Sequence, residues 1–126
     1  MRVVVTLDEI EQWRSEFSAH PEALKALTEI EDCEGDLEDA ALALAIQVGQ
    51  EPNTSDRWID GVAKRWRTVI CQTEFRDRWE DDLAAEVVTA LATQTSLPLR
   101  LALPIAIYVY KVGITEFCQP LTEKIQ

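Results

Sequence analysis

The chain has 126 residues, of which 47% are hydrophobic and 28% are charged. This is the size and composition of one globular domain and not of a disordered or membrane-embedded chain. The formal net charge of −11 excludes non-specific nucleic-acid binding as a default function, because phosphate contacts need a surplus of lysine and arginine. We therefore expect a single domain over residues 1–126 and no nucleic-acid partner.

Three segments in the first half of the chain predict helices. Thr6 and Glu9 have the spacing of a capping box, in which two side chains satisfy free amides at a helix start. Pro21 suits the first turn of a second helix, and Gly35 suits a stop after it. The predicted helices span residues 7–18, 21–33 and 37–48, and residues 3–5 form a short extended arm or strand before them.

The third predicted helix is apolar at every position from Ala40 to Ile46. A helix that is hydrophobic on all sides is buried in a protein core. We therefore expect this helix to be central and covered on every side.

The second half predicts further helices. Thr54 or Ser55 caps an amphipathic segment that runs to Ile70, a break follows near residues 72–74, and another helix continues to about residue 91. Residues 93–96 form a predicted polar turn, after which Pro98 opens the last helix. Pro104 interrupts this last apolar run, whose β-branched residues also suit a strand; we predict a helix. The expected fold is an all-α bundle of five to six helices.

Targeting and membrane segments are not expected. The apolar start is shorter than the hydrophobic region of a signal peptide, which has about 7–15 residues. The most apolar segment, residues 101–110, is half of the roughly 20 residues that span a bilayer. We predict a cytoplasmic protein in which residues 101–110 form either a core element or a contact with another chain.

The cysteines, Cys33, Cys71 and Cys118, are odd in number and have no C-x-x-C spacing. This pattern argues against a disulfide framework and a zinc site and predicts free, buried thiols in a reducing compartment. His20 is the only histidine, so a hydrolase triad lacks its partners and a helix-entry role is expected. Phosphate-binding glycine loops are absent as well. We expect no catalytic residue and no cofactor.

Carboxylates leave one enzymatic alternative open. Glu34 and Glu38 form an i, i+4 pair on one side of a helix start, and Asp82 and Glu86 form a second pair. Facing helices with such pairs would hold Mg²⁺ in an all-α nucleotide pyrophosphohydrolase, although the usual spacing of that class is not reproduced. The acidic preference of helix starts explains the same residues without a metal.

Charge and aromatic patterning leave a protein-binding role open. Residues 1–56 hold 14 acids and three bases, whereas residues 57–78 hold six bases and three acids. The acidic part either docks against the basic part within the chain or steers a basic partner. Every tryptophan has an arginine neighbour, which is typical either of a core boundary or of a binding surface. The candidate interaction residues are Arg57, Arg65, Arg67 and Arg78.

The tail, with Leu97-Pro98-Leu99 and Tyr110-Lys111-Val112-Gly113, is similar to the ends of small helical bacterial proteins that accompany signalling or defence ATPases. The similar region contains no catalytic motif, so it implies no activity.

Taken as a sequence, the chain is predicted to be a non-enzymatic interaction or accessory module of a bacterial-type cytoplasmic protein. The metal-dependent hydrolase is the alternative, and a helix-turn-helix regulator is a weaker one that the acidic charge disfavours. We expect a protein partner and a homodimer held mainly by apolar contact, for which residues 101–110 are a candidate surface.

Overall fold

The computed structural model describes residues 3–49, 63, 67–71, 85–95, 97–113 and 116–119, and within these ranges the regular structure is helical. The all-α prediction is confirmed. The predicted break at residues 72–74 lies outside the described residues. The helices are α1 (Leu7–Glu16), α2 (Pro21–Asp32), α3 (Leu37–Gln47), α4 (Arg67–Ile70), α5 (Ala85–Thr95) and α6 (Leu99–Val112), and residues 116–119 are also helical.

The start of α1 is the predicted capping box. The Thr6 hydroxyl accepts the Glu9 amide at 3.2 Å, and the Thr6 amide donates to a Glu9 carboxylate oxygen at 3.0 Å. Two amides that would otherwise lack helical partners are thus satisfied, which stabilises the helix end by about 1 kcal/mol. The spacing of two residues in the sequence therefore determines where α1 begins.

The residues before α1 form an arm that docks on the turn between α2 and α3. The Val5 amide donates to the Gly35 carbonyl at 2.8 Å, and the Leu37 amide donates to the Val3 carbonyl at 3.1 Å. Only an isolated antiparallel bridge, between Val4 and Asp36, results, so the segment is an arm and not a strand of a sheet. Alternation along the arm buries Val3 and Val5 and leaves Val4 exposed.

Gly35 makes this docking possible. Its φ of +83° lies in the left-handed region, which residues with a Cβ adopt at a cost. A Cβ at this position would also overlap the Val5 carbonyl oxygen. The glycine predicted as a helix stop therefore has a second role, because the arm can approach the turn closely only where a side chain is missing.

Helix α6 is the centre of the bundle and packs against α2, α3 and α5. All residues from Leu101 to Ile107 are buried, as is Val109. Pro104 lies inside the helix without ending it, so the predicted helix is confirmed and the strand alternative is wrong. Because these side chains fill the chain's own core, residues 101–107 are not available for the intermolecular contact that we considered.

Helix α5 includes residues 93–95, the first three residues of the predicted polar turn at 93–96. Thr93 and Thr95 are helical, and their hydroxyls donate to the carbonyls of Thr89 and Leu91 at 3.0 and 2.7 Å. These bonds satisfy the two hydroxyl groups within the helix, so that even the buried Thr95 is not left without a hydrogen-bond partner. Threonine composition alone therefore predicted a turn where side-chain hydrogen bonds allow the helix to continue.

Trp13 is buried, and its ring lies edge-on to Tyr110 of α6 with the centroids 6.0 Å apart. This pair attaches α1 to the end of the central helix, as expected for a tryptophan at a core boundary. Trp58, Trp66 and Trp79 lie outside the described residues.

Within the described part of the chain, no single helix is long and apolar enough to cross a membrane. Helices α5 and α6 pass such a test only as a pair, by length and composition, and the chain bends by 117° between them.

Candidate interaction surface

Helix α3 exposes one side, contrary to our prediction that it is covered all round. Leu37, Ala40, Ala41, Leu44 and Ala45 are fully buried, and they pack the helix onto α2 and α6. Leu42 and Ala43 are only half-buried, and Ile46 is 67% exposed. The prediction was wrong because a helix at the edge of a bundle has neighbours on one side, whatever its composition.

Four of the less buried residues of α3 lie in one row. Asp39, Leu42, Ala43 and Ile46 follow the spacing i, i+3, i+4 and i+7, which places them on the same side of a helix. We call these four residues the α3 outer face. It consists of an acidic residue at the N-terminal end, two half-buried small or branched residues, and an exposed isoleucine at the C-terminal end.

The ends of α3 make this face electronegative. Asp36 caps the helix start by accepting the Asp39 amide at 3.1 Å, and Glu38 and Asp39 lie in the first turn. The last turn contains no basic residue, so the partial negative charge at the helix C-terminus is not offset by a cation from α3 itself. The acidic first turn would therefore stabilise a positive group near the N-terminal end of the outer face.

The surrounding segment is also strongly acidic. Residues 3–49 contain twelve acidic residues and two basic ones, Arg14 and Lys25. Part of this charge is neutralised by ion pairs, which involve Glu9, Glu22 and Glu31. The exposed acids Asp8, Glu34 and Asp39 add to this charge, and the charges of Glu11 and Asp32 help to raise the pKa of Arg14.

Arg100 is the least exposed of the three basic side chains in these pairs. Its guanidinium donates to Glu22 at 2.8 Å and to the Gln47 side-chain oxygen at 3.2 Å, and Gln47 donates in turn to Glu29 at 2.8 Å. The hydrogen bond from Arg100 lowers the pKa of Glu22 and outweighs the effect of desolvation. This network joins α2, α3 and α6 beside the C-terminal end of the outer face.

Two further pairs attach α1 to its neighbours. Arg14 contacts both carboxylate oxygens of Glu31, at 2.9 and 3.3 Å, and this hydrogen bonding lowers the pKa of Glu31. Lys111 donates to Glu9 at 2.6 Å. Partial burial raises the pKa of Glu9, but the hydrogen bonds and charge of Lys111, together with the Thr6 amide, outweigh it and leave that pKa lowered.

The ion pairs of the described residues use Arg14, Arg100 and Lys111. The predicted docking of the acidic first segment against the basic residues 57–78 depends mostly on residues outside the described ranges. Arg57, Arg65 and Arg78 lie outside the described residues. Arg67 is half-buried, and its guanidinium carbon lies 4.8 Å from the Phe117 ring centroid, so it packs within the chain.

The residues of the metal alternative do not form a described site. Glu34, at a φ of 57°, lies in the turn after α2, Glu38 is in the first turn of α3, and Glu86 is in the first turn of α5. Asp82 is outside the described residues. Among the residues that are described, no three histidine, cysteine or acidic side chains are arranged to hold a metal ion.

The cysteines contradict our prediction of free thiols. Cys71 and Cys118 form a disulfide across a sequence separation of 47 residues, while Cys33 is free. An odd number of cysteines is compatible with one pair and one free thiol, so parity misled the prediction. In the chain-entropy model a link over this separation stabilises the fold by about 4 kcal/mol.

Neither Cys33 nor His20 has the surroundings of a catalytic group. Burial raises the pKa of the Cys33 thiol, and the charge of Glu29 and nearby aspartates raises it further, which disfavours the nucleophilic thiolate. His20 is the N-cap residue of α2 without a side-chain cap hydrogen bond, and its ring lies edge-on to Phe17 with centroids 6.1 Å apart. Its predicted helix-entry position is confirmed.

No family model, no curated protein and no solved structure matches the chain. Its own geometry is therefore the basis for a functional proposal. The α3 outer face was missed by sequence reasoning, and the uniformly apolar run gave no signal that could separate its exposed side from its buried side.

Proposed function

We propose that the chain is a non-enzymatic protein-interaction module whose α3 outer face binds a basic amphipathic segment of a partner protein. The observation that carries this proposal is the 67% exposure of Ile46 on a helix whose other side is fully buried. Covering a branched apolar side chain of this size contributes about 1–2 kcal/mol to binding.

Charge determines the kind of partner. An apolar contact at Leu42 and Ile46 lies next to the acidic first turn of α3. A partner helix with apolar residues on one side and lysine or arginine around them complements both features. A second copy of this chain is a poorer occupant, because residues 3–49 would face the same acidic surface and repel it.

The location in the cytoplasm and the homodimer predicted from the sequence stay proposals. The homodimer has lost its candidate contact, since residues 101–107 are buried. The cytoplasm keeps cysteines in the thiol form, so a disulfide in a cytoplasmic protein would be transient or redox-regulated.

A titration with a synthetic peptide tests the proposed function. The probe is an amphipathic helical peptide with leucine on one side and lysine on the other, and the control is the same peptide with glutamate in place of lysine. We expect saturable binding of the lysine peptide that weakens as salt rises, and no binding of the glutamate peptide.

Two variants, each of which replaces an exposed apolar residue with glutamate, locate the site. Ile46→Glu should weaken binding of the lysine peptide by about tenfold or more, although it adds an attractive charge, because it removes the apolar contact. Leu7→Glu introduces the same change at a residue that is 64% exposed at the start of α1 and should leave binding unchanged. The proposal would be contradicted if both variants had equal effects or if both peptides bound equally. Dimerisation that Ile46→Glu abolishes in light scattering would also contradict it.

A further inference from the structure

The two ends of the α3 outer face differ in chemistry. The N-terminal end carries the exposed carboxylate of Asp39, in the acidic first turn of the helix. The C-terminal end carries the exposed apolar side chain of Ile46. Asp39 and Ile46 are seven positions apart in the sequence, which corresponds to about 10 Å along a helix axis. The face is therefore charged at one end and apolar at the other, over a length of two helical turns.

Further carboxylates surround the charged end. Asp36 caps α3 by accepting the Asp39 amide at 3.1 Å. Burial raises the pKa of the Cys33 thiol in the turn before α3, and four carboxylates raise it further, those of Glu29, Asp39, Asp36 and Asp32. All four are thus close enough to act on one group. A cation placed beside Asp39 is attracted by several of these charges together.

The acids near the apolar end are already engaged. Arg100 of α6 donates to Glu22 at 2.8 Å and to the side-chain oxygen of Gln47, the neighbour of Ile46, at 3.2 Å. Gln47 donates to Glu29 at 2.8 Å. Arg100 therefore supplies positive charge beside the C-terminal end of the face, where a cation of a partner would be repelled.

The electrostatics of the partner helix favour one direction as well. Lysine or arginine in the last turn of a helix is stabilised by the partial negative charge at that end, whereas the same residue in the first turn is disfavoured. Antiparallel packing places the last turn of a partner helix beside the first turn of α3. The partner's basic residues then lie where both helices stabilise them.

From this arrangement we infer that the α3 outer face binds its partner in one direction, antiparallel to α3, with apolar residues over Ile46 and Leu42 and basic residues of the last turn beside Asp39. This inference rests on the binding proposed for the face and specifies the partner segment. From its N- to its C-terminus, the segment carries two apolar residues one turn apart, followed one turn later by lysine or arginine.

Paramagnetic labelling measures the direction. The probe is a helical peptide with leucines on one side of its first two turns and lysines in its last turn, with a spin label at either end. A diamagnetic analogue of each label provides the reference. In the full chain, the C-terminal label should reduce the amide signal of Asp39 more than that of Ile46, and the N-terminal label should do the opposite.

A charge exchange tests the contact at Asp39 independently. Asp39→Lys should weaken binding of this peptide by about fivefold, and it should strengthen binding of the same peptide with glutamates in place of the last-turn lysines. Asp8→Lys makes the same change at an exposed acid in the first turn of α1 and should alter both affinities little. Circular dichroism should show that both variants keep the helical fold.

The outcomes separate the direction from the binding itself. Equal loss of both amide signals with either label, or the opposite pattern, would overturn the direction while peptide binding to α3 stands. Equal effects of Asp39→Lys and Asp8→Lys would overturn it as well. If the lysine peptide shows no saturable binding, the interaction proposed for α3 fails, and the direction fails with it.

Discussion

Glu9 and Lys111 connect the first helix to the end of the central one through a single oxygen atom. The Lys111 ammonium donates to Oε1 of Glu9 at 2.6 Å, and the same atom accepts the Thr6 amide at 3.0 Å. A residue that determines where α1 begins thus also fixes α1 against α6. Local capping and tertiary packing depend here on one carboxylate.

A double-mutant cycle with Glu9→Gln and Lys111→Met should measure this connection. Glutamine retains the capping hydrogen bond, so the cycle isolates the ion pair, for which we expect a coupling of about 0.5–1 kcal/mol at pH 7. The lowered pKa of Glu9 means that the coupling is fully present above about pH 4.5, its ordinary value, and is lost as the pH falls through the lowered one. Urea unfolding at pH 7 and pH 3 checks this, and a coupling that is unchanged at pH 3 would contradict it.

Gly35 and Gly49 offer a matched comparison of backbone strain and steric overlap. Both have positive φ, of 83° and 81°, but only at Gly35 would a Cβ meet the arm; at Gly49 nothing lies within 4 Å. Gly49→Ala should cost about 1 kcal/mol for the left-handed backbone, and Gly35→Ala should cost about 1–3 kcal/mol more, as overpacking does. Equal losses in denaturant unfolding would mean that the arm does not dock as described.

Cys33 should react slowly with iodoacetamide, because burial and the surrounding acids raise the pKa of its thiol. The rate should still be rising above pH 9, where an ordinary thiol approaches its maximum. Glu29→Gln should accelerate the reaction at pH 8, because it removes the negative charge that raises the pKa of the thiol most. Glu11→Gln on α1 should not accelerate it. A rate that levels off near pH 8.5 in the unmodified protein would show that the thiol is not perturbed in this way.

Divalent metal ions should not stabilise the protein. Of the carboxylates of the hydrolase alternative that are described, Glu34 and Glu38 lie just before and in the first turn of α3, and Glu86 lies at the start of α5. We expect no change in melting temperature at millimolar Mg²⁺ or Mn²⁺. A ligand that binds only the folded state raises the melting temperature in a saturable way. A saturable rise that Glu38→Gln abolishes would therefore favour the hydrolase over the interaction module.

Features decided by residues close together in the sequence could be predicted, whereas features that depend on the meeting of distant segments could not. The capping box of Thr6 and Glu9 was predicted correctly, because it is decided by residues three positions apart. Pro104 was ambiguous locally, and burial of α6 between three helices favours the helix there. The arm contact at Gly35 could not be predicted, since it needs the position of Val5 in space.

The candidate site was harder to predict for the same reason. A run of alanine, leucine and isoleucine does not indicate which side of α3 meets α2 and α6, so the exposure of Ile46 follows only from the assembled bundle. The Cys71–Cys118 pair likewise depends on the approach of two segments that are 47 residues apart. Counting cysteines cannot reveal that approach.

The central claim is that the α3 outer face is a binding surface for a basic amphipathic segment, and an NMR titration with the lysine–leucine peptide tests it most directly. We predict that the largest amide shifts fall at Asp39, Leu42, Ala43 and Ile46 and saturate with the peptide concentration. Residues 7–16 of α1, which carry exposed acids but no such apolar row, should shift little. Shifts that spread evenly over the acidic surface, or that centre on another helix, would contradict the claim.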